Sequence, residues 1–480
     1  MHPLAAASLL AAACVSLPLV APAVLADSLP IITDDPRLHG EAIVTDGFDT
    51  ERLQPPKRVR IDGVPLDCGP SWGHASPCWT DVTGDGLPDL VVGDFSDYLT
   101  VYRNTGERGD DGWPTLERVA EHDGRLQAGG EDAKVWIYCC IGAQARPCDL
   151  NGDGHTDLLV NSYDPGHAYL FPGNGDGTFE ARVELTDENG TPVRSQVKQR
   201  ENYLSFGSFY EAVDWDNDGD EDLLIGDFGG PLHLRENIGS ATEYVFAGQN
   251  MPVTLASGEP LKVEKHNCPV AADWDGDGLW DLICGADDGS VTLFRNIGAE
   301  GEPALAEGLT LVEPASAERD NGYDIYLFDA AGVRPGIRTQ PEVVDWDGDG
   351  RVDLLVGDFS TAYAFREDLT AQQIAEIRTA YETHKQEIDA VGLESMDDLR
   401  NEGIEKFGEE NLESDEATEW WEARYAAWRE SDKMKQVEAL TAAHLKSLRP
   451  FLAGAHGESD WQTALPHGYV WVYRQQGESE

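Results

Sequence analysis

The 480-residue chain carries 89 acidic against 35 basic side chains, a formal charge of −54, with 41% hydrophobic residues and 50 glycines. A field of that sign repels nucleic acid and anionic membrane surfaces, so neither is expected as a partner. The apolar fraction can fill a core, and so many glycines suit short strands joined by turns better than a helical fold.

In chain order, residues 4–26 form an uncharged stretch rich in Ala and Leu, interrupted by Pro18 and Pro22 and ending Val24-Leu25-Ala26. Small residues before Asp27 fit a cleavage site, so residues 1–26 are expected to be a secretory signal, although no Lys or Arg precedes the apolar run. No other stretch reaches the roughly eighteen apolar residues of a membrane span. The expected product is secreted, periplasmic or held at the cell surface. In an oxidising compartment Cys68 could pair with Cys78, Cys148 with Cys139 or Cys140, and Cys268 with Cys284 across two strands.

A nine-residue acidic segment then recurs five times, at Asp81–Asp89, Asp149–Asp157, Asp214–Asp222, Asp273–Asp281 and Asp345–Asp353. Successive starts are 68, 65, 59 and 72 residues apart. Each segment leads into an apolar run ending near Gly-Asp, as in Leu90-Val91-Val92-Gly93-Asp94, and an alternating run such as Ser290–Asn296 follows. Period-two runs bounded by Gly and Asp are strands. A strand, the acidic loop, two more strands and a looser fourth such as Thr115–Glu121 make about sixty residues, the content of one propeller blade.

The loops have the chemistry of a hard-cation site, which takes about six to eight oxygens. Positions 1, 3, 5 and 9 supply side-chain oxygens and position 7 a backbone carbonyl. The five sets are Asp81, Thr83, Asp85, Leu87 and Asp89; Asp149, Asn151, Asp153, His155 and Asp157; Asp214, Asp216, Asp218, Asp220 and Asp222; Asp273, Asp275, Asp277, Leu279 and Asp281; and Asp345, Asp347, Asp349, Arg351 and Asp353. Thr83 and Asn151 replace a carboxylate, so the first two loops are expected to bind more weakly. An EF-hand is excluded, because its twelfth position needs Glu and here holds Val92, Val160, Ile225, Cys284 or Val356. Trp215, Trp274 and Trp346, at position 2, are expected to pack between blades.

The D-x-[D/N/T]-x-D-G-x-x-D pattern and the segment Phe171–Phe179 resemble the FG-GAP or VCBS repeat family, whose best-known members are the integrin α-subunit propellers. The resemblance covers about residues 60 to 365. It implies an all-β fold, a β-propeller of five four-stranded blades, or six or seven if residues 27–60 or the long spacers hide another. It also implies about five structural Ca2+ sites tying the turn between the first two strands of each blade.

A ligand site has to be sought away from those turns. With the repeats aligned on the first Asp, His74, Gly142, Gly207, His266 and Arg338 stand seven residues earlier, and Ser76, Gln144, Phe209, Cys268 and Gln340 five earlier. The residues just before each loop are apolar or small. The strand is therefore expected to be buried near the loop and polar towards the opposite mouth. There His74, His266 and Arg338, with Tyr203 slightly upstream, form the candidate ligand site, set against a merely hydrated channel.

From Asp368 the texture becomes helical. Thr370 and Gln373 form a capping box, and Ile374, Ile377, Tyr381, Ile388 and Val391 mark one face before Gly392. A second helix is expected over about 416–448, giving a helical hairpin. The domain plan is residues 27–367 as blades, 368–457 as a helical insertion, and 458–480 as a closing strand. Gly468–Arg474 mirrors Ser290–Arg295 and is expected to complete the fifth blade, with Lys57–Gly63 added to it. The expected function is an exported calcium-binding module for an extracellular polysaccharide or protein. The alternatives are a polysaccharide-lyase-like enzyme working at the mouth and a structural surface protein.

Overall fold

The computed structural model describes residues 53–69, 73–134, 143–162, 166–195, 198–200, 203–204, 208–315, 325–326, 334–363, 369–408, 414–451 and 464–475. The expected signal segment, Cys14, Cys139, Cys140, Gly142 and Gly207 lie outside them. The chain divides into two compact units, one comprising His39–Ala317, Phe328–Ser360 and Pro466–Glu480, the other Met1–Leu38, Glu318–Leu327 and Thr361–Leu465.

The first unit is built of small antiparallel sheets. Each of the first four repeats supplies one four-stranded sheet in sequence order, the first being Ser76–Thr80, Asp89–Gly93, Leu99–Arg108 and Pro114–Arg118. The first strands of the next three are Ala145–Cys148, Phe209–Val213 and Cys268–Ala272. The acidic loop joins the first two strands every time, so Thr80 pairs with Asp89, Cys148 with Asp157, Val213 with Asp222 and Ala272 with Asp281. The fifth sheet draws on distant parts of the chain. Ile337–Val344 pairs with Asp353–Tyr363, whose Leu355 faces Val472 of Val470–Tyr473, and Lys57 lies on the other side of Val472.

Strand alternation distributes the core between sheets. Val91 packs with Ala145 and Leu158 of the second sheet, whereas Leu90 and Val92 turn to Leu355, Val470 and Val472 of the fifth. Successive residues of a strand point to opposite faces, so one apolar run fills two interfaces. The first strands touch in a closed cycle, each of the five meeting the next and the fifth meeting the first. The glycine ending a second strand permits that approach. A Cβ on Gly93, Gly226, Gly285 or Gly357 would stand 2.0, 1.8, 2.2 or 2.0 Å from the carbonyl oxygen of Ala143, Asn267, Thr339 or Ala75 on the following sheet.

Trp346 and Trp274 are buried, and Trp346 lies against Trp79 and Trp113 of the first sheet. The described cysteines Cys68, Cys78, Cys148, Cys268 and Cys284 are all free thiols. For Cys268 and Cys284 the register explains it. Cys268 pairs with Gly285 and Cys284 with Pro269, so the two sulfurs leave opposite faces of the sheet.

Among the described residues the second unit holds four α-helices rather than a hairpin: α1 Ala371–Val391, α2 Met396–Phe407, α3 Asp415–Arg429 and α4 Asp432–Leu448. Thr370 and Gln373 form the expected box, and Gly392 ends α1 at φ 60°. The single helix expected over 416–448 breaks at Ser431, whose hydroxyl accepts the Met434 N–H and starts α4. The other helix missing from the expectation, α2, opens on a capping box of Ser395 and Asp398. α4 returns along α1, where His384 and His444 stack 4.2 Å apart.

Candidate functional site

At each acidic loop, aspartate oxygens collect backbone N–H groups. In the first loop Asp81 accepts from Gly84 and Gly86, each at 2.7 Å, and in the fifth Asp345 accepts from Gly348 and Gly350 at 2.8 and 3.0 Å. The ninth residue turns inward and ties the loop to the third strand. Asp89 accepts from Asn104 N–H, Asp157 from Gly173, Asp222 from Asn237 and Asp281 from Asn296, at 2.7 to 2.9 Å. In the fifth sheet Gln475 donates to Asp353 at 2.9 Å, so the carboxy-terminal segment fills the position held elsewhere by its own repeat.

These bonds leave charge uncompensated. Oxygens of Asp214, Asp216 and Asp218, of Asp273, Asp275 and Asp281, and of Asp345, Asp347 and Asp353 converge to within 4.8 Å. Buried Asp157 Oδ2, Asp220 Oδ1 and Asp222 Oδ2 have no hydrogen-bond partner. Burial, reinforced by neighbouring carboxylates, pushes Asp222 up to about 7 and Asp157, Asp220, Asp281 and Asp353 up to about 6. Oxygen-only donor sets, orphaned carboxylate oxygens and mutual repulsion fit a hard divalent cation.

Each loop also meets the next sheet. A Cβ on Gly152 would lie 2.1 Å from Ala241 O, and one on Gly301 2.6 Å from Asp216 O. Arg108 of the first sheet donates to Trp346 O of the fifth loop at 3.1 Å, and Gln475 to Trp274 O of the fourth at 3.0 Å. The acidic loops therefore stand at the joins between sheets.

Three residues before each loop stand Cys78, Arg146, Glu211, Val270 and Glu342, and here the interior is charged. Arg146 is fully buried, its Nε 3.1 Å from Glu211 and its Nη1 bonded to Glu342, while Nη2 donates to Pro341 O at 2.6 Å. Burial works against the guanidinium charge, but Glu342 and Glu211 more than restore it. Burial and Glu342 push Glu211 up to about 8 despite Arg146, and burial pushes Glu342 up to about 7. Sequence reasoning missed this cluster, although three charges at one aligned position of an apolar strand are a usable signal.

The expected ligand layer is brought together in part. Arg338 Nε donates to Asp287 Oδ1 at 3.1 Å, and its Nη1 lies 3.3 Å from His74 Nε2. His266 Nδ1 lies 2.9 Å from the same Asp287 oxygen. Aromatic rings alternate with these groups: Phe228 against His266, Phe359 beneath Arg338 and stacked on His74, and Phe95 at the edge of His74. Phe95, Phe228, Asp287 and Phe359 each stand fourteen residues after the first Asp of their loop, where the second repeat has Tyr163, so Asp287 occupies a position that is aromatic in the other four repeats. Tyr203 lies on the short strand Tyr203–Leu204, paired with Lys198–Arg200. The layer is not the expected wet mouth. His74, His266 and Arg338 are buried, whereas Thr80, Ala212, Ala271 and Ala272 beside the loops are partly exposed. The stacked rings shield this layer from solvent.

All three residues hold left-handed backbone, at φ 56°, 52° and 56° for His74, His266 and Arg338. The aligned residues of the other two repeats are glycines in the sequence, the residue type this conformation favours. Burial, together with Arg338, keeps His74 well below the usual imidazole range. Burial also lowers His266, against the pull of Asp287. Both rings are neutral at neutral pH.

Among solved structures, the chain is similar to an Agrocybe aegerita lectin that recognises non-reducing terminal N-acetylglucosamine. Identity is 18%, over 59% of this chain and 60% of that one, with a TM-score of 0.30. It is also similar to a GH43_1 enzyme from Xanthomonas citri complexed with xylose, at 10% identity over 61% and 84% of the chains and a TM-score of 0.29. A beta-fructofuranosidase from Schwanniomyces occidentalis matches at 9% identity over 67% and 63%, with a TM-score of 0.30. The chain thus spans about 60% of the length of the lectin. Residues 149–197, from the second acidic loop onward, match the family model of the FG-GAP-like repeat.

Proposed function

We propose that the first unit is a five-bladed, calcium-clasped β-propeller, exported from the cell, that binds an extracellular polysaccharide or protein. The cyclic contact of the five first strands supports the blade number. The orphaned carboxylate oxygens support the cation, which the aspartates named above would hold; when bound, it neutralises the loops and fixes the joins between sheets. The chain's own residues orient that site through the N–H groups gathered on Asp81, Asp345 and their counterparts.

The observation that carries a binding role is the belt of His74, Arg338, Asp287 and His266. Left-handed backbone at a residue other than glycine costs about 1–3 kcal/mol, and such strain gathers at functional sites. Three such residues at one aligned position, converging on each other, are more than packing requires. A glycan array with wild type and His266→Ala tests the reading. Loss of the bound glycan in the variant supports it, and unchanged binding refutes the belt as the site. A structural surface protein would retain nothing on the array.

A second reading has one observation in its favour. A neutral imidazole oriented by a carboxylate, His266 with Asp287, is the arrangement of a general base. A lyase acting on a uronic-acid polymer would release an unsaturated product detectable by ultraviolet absorbance. No product from any such polymer removes this reading and leaves the binding module intact.

A further inference from the structure

We propose that the cleft between the third and fourth acidic loops is a subsite for one neutral pyranose ring, with Trp280 as its platform. The proposal deepens the reading of the unit as a glycan-binding module and rests on it, but it places contact away from the His266 belt.

The cleft has a volume of about 220 Å³ and is lined by residues including Asn217, Trp280, Glu300, Gly301 and Pro303. Sites for drug-sized ligands enclose roughly 300–1,000 Å³, so this one suits a single ring. Trp280 is the eighth residue of its loop, where the other repeats hold Pro88, Thr156, Glu221 and Val352. The repeat therefore does not demand an indole there. Trp280 is 44% exposed and belongs to none of the buried core clusters. A flat apolar ring at the wall of a concave site matches the C–H face of a sugar.

The polar groups match its hydroxyls. Asn217 holds left-handed backbone at φ 58°, and its Nδ2 donates to Glu300 Oε1 at 3.1 Å. With one amide hydrogen engaged by Glu300 Oε1, Asn217 Oδ1 and Glu300 Oε2 remain as acceptors, and sugar hydroxyls are donors. Asn296 also lines the cleft, but its amide oxygen is occupied by the N–H groups of Gly298 and Ala304. Charge selects among sugars. Glu300 in the lining, on a chain of net charge −54, repels carboxylated and sulfated rings.

The test uses the full chain with calcium present and free monosaccharides as probes: neutral hexoses, N-acetylhexosamines and the matching uronic acids. Saturation-transfer NMR should show contact to the ring C–H protons of a neutral sugar, with uronic acids weaker. Calorimetry should show Trp280→Ala weakening binding about tenfold, close to 1.4 kcal/mol. Trp280→Phe, which keeps an aromatic face, should retain part of the affinity and controls for misfolding. Three results overturn the proposal: no saturation transfer from any neutral sugar, equal affinity in wild type and Trp280→Ala, or uronic acids binding best. A glycan-array signal lost in His266→Ala but kept in Trp280→Ala also overturns this subsite, while leaving the binding module standing.

Discussion

Replacing Arg146 with Met tests whether the interior is held by charge. The guanidinium is the one cation the structure places between Glu211 and Glu342, and it also donates to Pro341 O. Glu211 rises from 4.5 to about 8 even with Arg146 present. At about 1.4 kcal/mol per unit, its ionised form is already disfavoured by on the order of 5 kcal/mol. Removing Arg146 at about pH 9 leaves two buried carboxylates unpaired, a loss of about 3–5 kcal/mol. At about pH 6 both carboxyls can stay protonated, and the loss reduces to unmade hydrogen bonds, about 1–3 kcal/mol. The sign follows from linkage. An acid whose folded pKa lies above its unfolded value contributes stability that is complete below about 4.5 and is lost as pH rises through about 7 and 8. Wild type should therefore lose some stability over that window, and the variant more. Urea unfolding of both at the two pH values, with calcium saturating, measures the difference. Equal destabilisation at both, or a larger loss at the lower pH, refutes the account.

Other perturbations address the clasp. Chelation should lower the Tm by several degrees or more, read by scanning calorimetry with and without added calcium. Asp273→Ala should reproduce part of that fall and keep an effect in chelator, because Asp273 also accepts the N–H groups of Gly276 and Gly278. Gly152→Ala puts a Cβ 2.1 Å from Ala241 O at a φ of +62°, so it should cost about 1–3 kcal/mol in urea unfolding. Deleting residues 466–480 removes the strand between Asp353–Tyr363 and Lys57–Arg58 and the Gln475 bond to Asp353. The truncated chain should melt far lower, and an unchanged Tm would contradict the role given to that strand.

The acidic loops and their flanking strands were legible because they repeat, and repetition separates signal from composition. The same repetition misled at the far end of the first strands. Alignment places His74, His266 and Arg338 at one position, but a polar side chain in a strand does not by itself imply contact with water. The aromatic residues that shield them stand fourteen residues after the first Asp of the loop, Phe95 and Phe228 in the turn past the second strand, where no local pattern connects them. The Arg146 cluster escaped for a related reason, since each charge was seen inside its own strand and the partners lie on other sheets. Among the helices, apolar residues marked α1 and the stretch that holds α3 and α4, but neither α2 nor the break between α3 and α4. The α3–α4 break depends on the Ser431 hydroxyl and the start of α2 on the Ser395 box, and neither leaves an apolar trace.

Repeats of one unit also supply an internal standard. Where every copy agrees, as in the ninth aspartate of the loop, the residue serves what all copies need, which is holding a sheet to its loop. Where one copy departs at a buried position, a general packing reason is lacking. Asp287 is such a departure, since Phe95, Phe228 and Phe359 at its position are ring partners of His74 or His266. A buried carboxylate is costlier than a ring unless it is paired. Here it is paired twice, by Arg338 and His266, which with His74 stand where the second and third copies have glycine. The departure at Asp287 is matched by the charged or polar residues in contact with it, and its effect is to give a nearly repetitive set of sheets one distinct side. That asymmetry is what a ligand with a defined orientation would need, and it supports the proposed binding role.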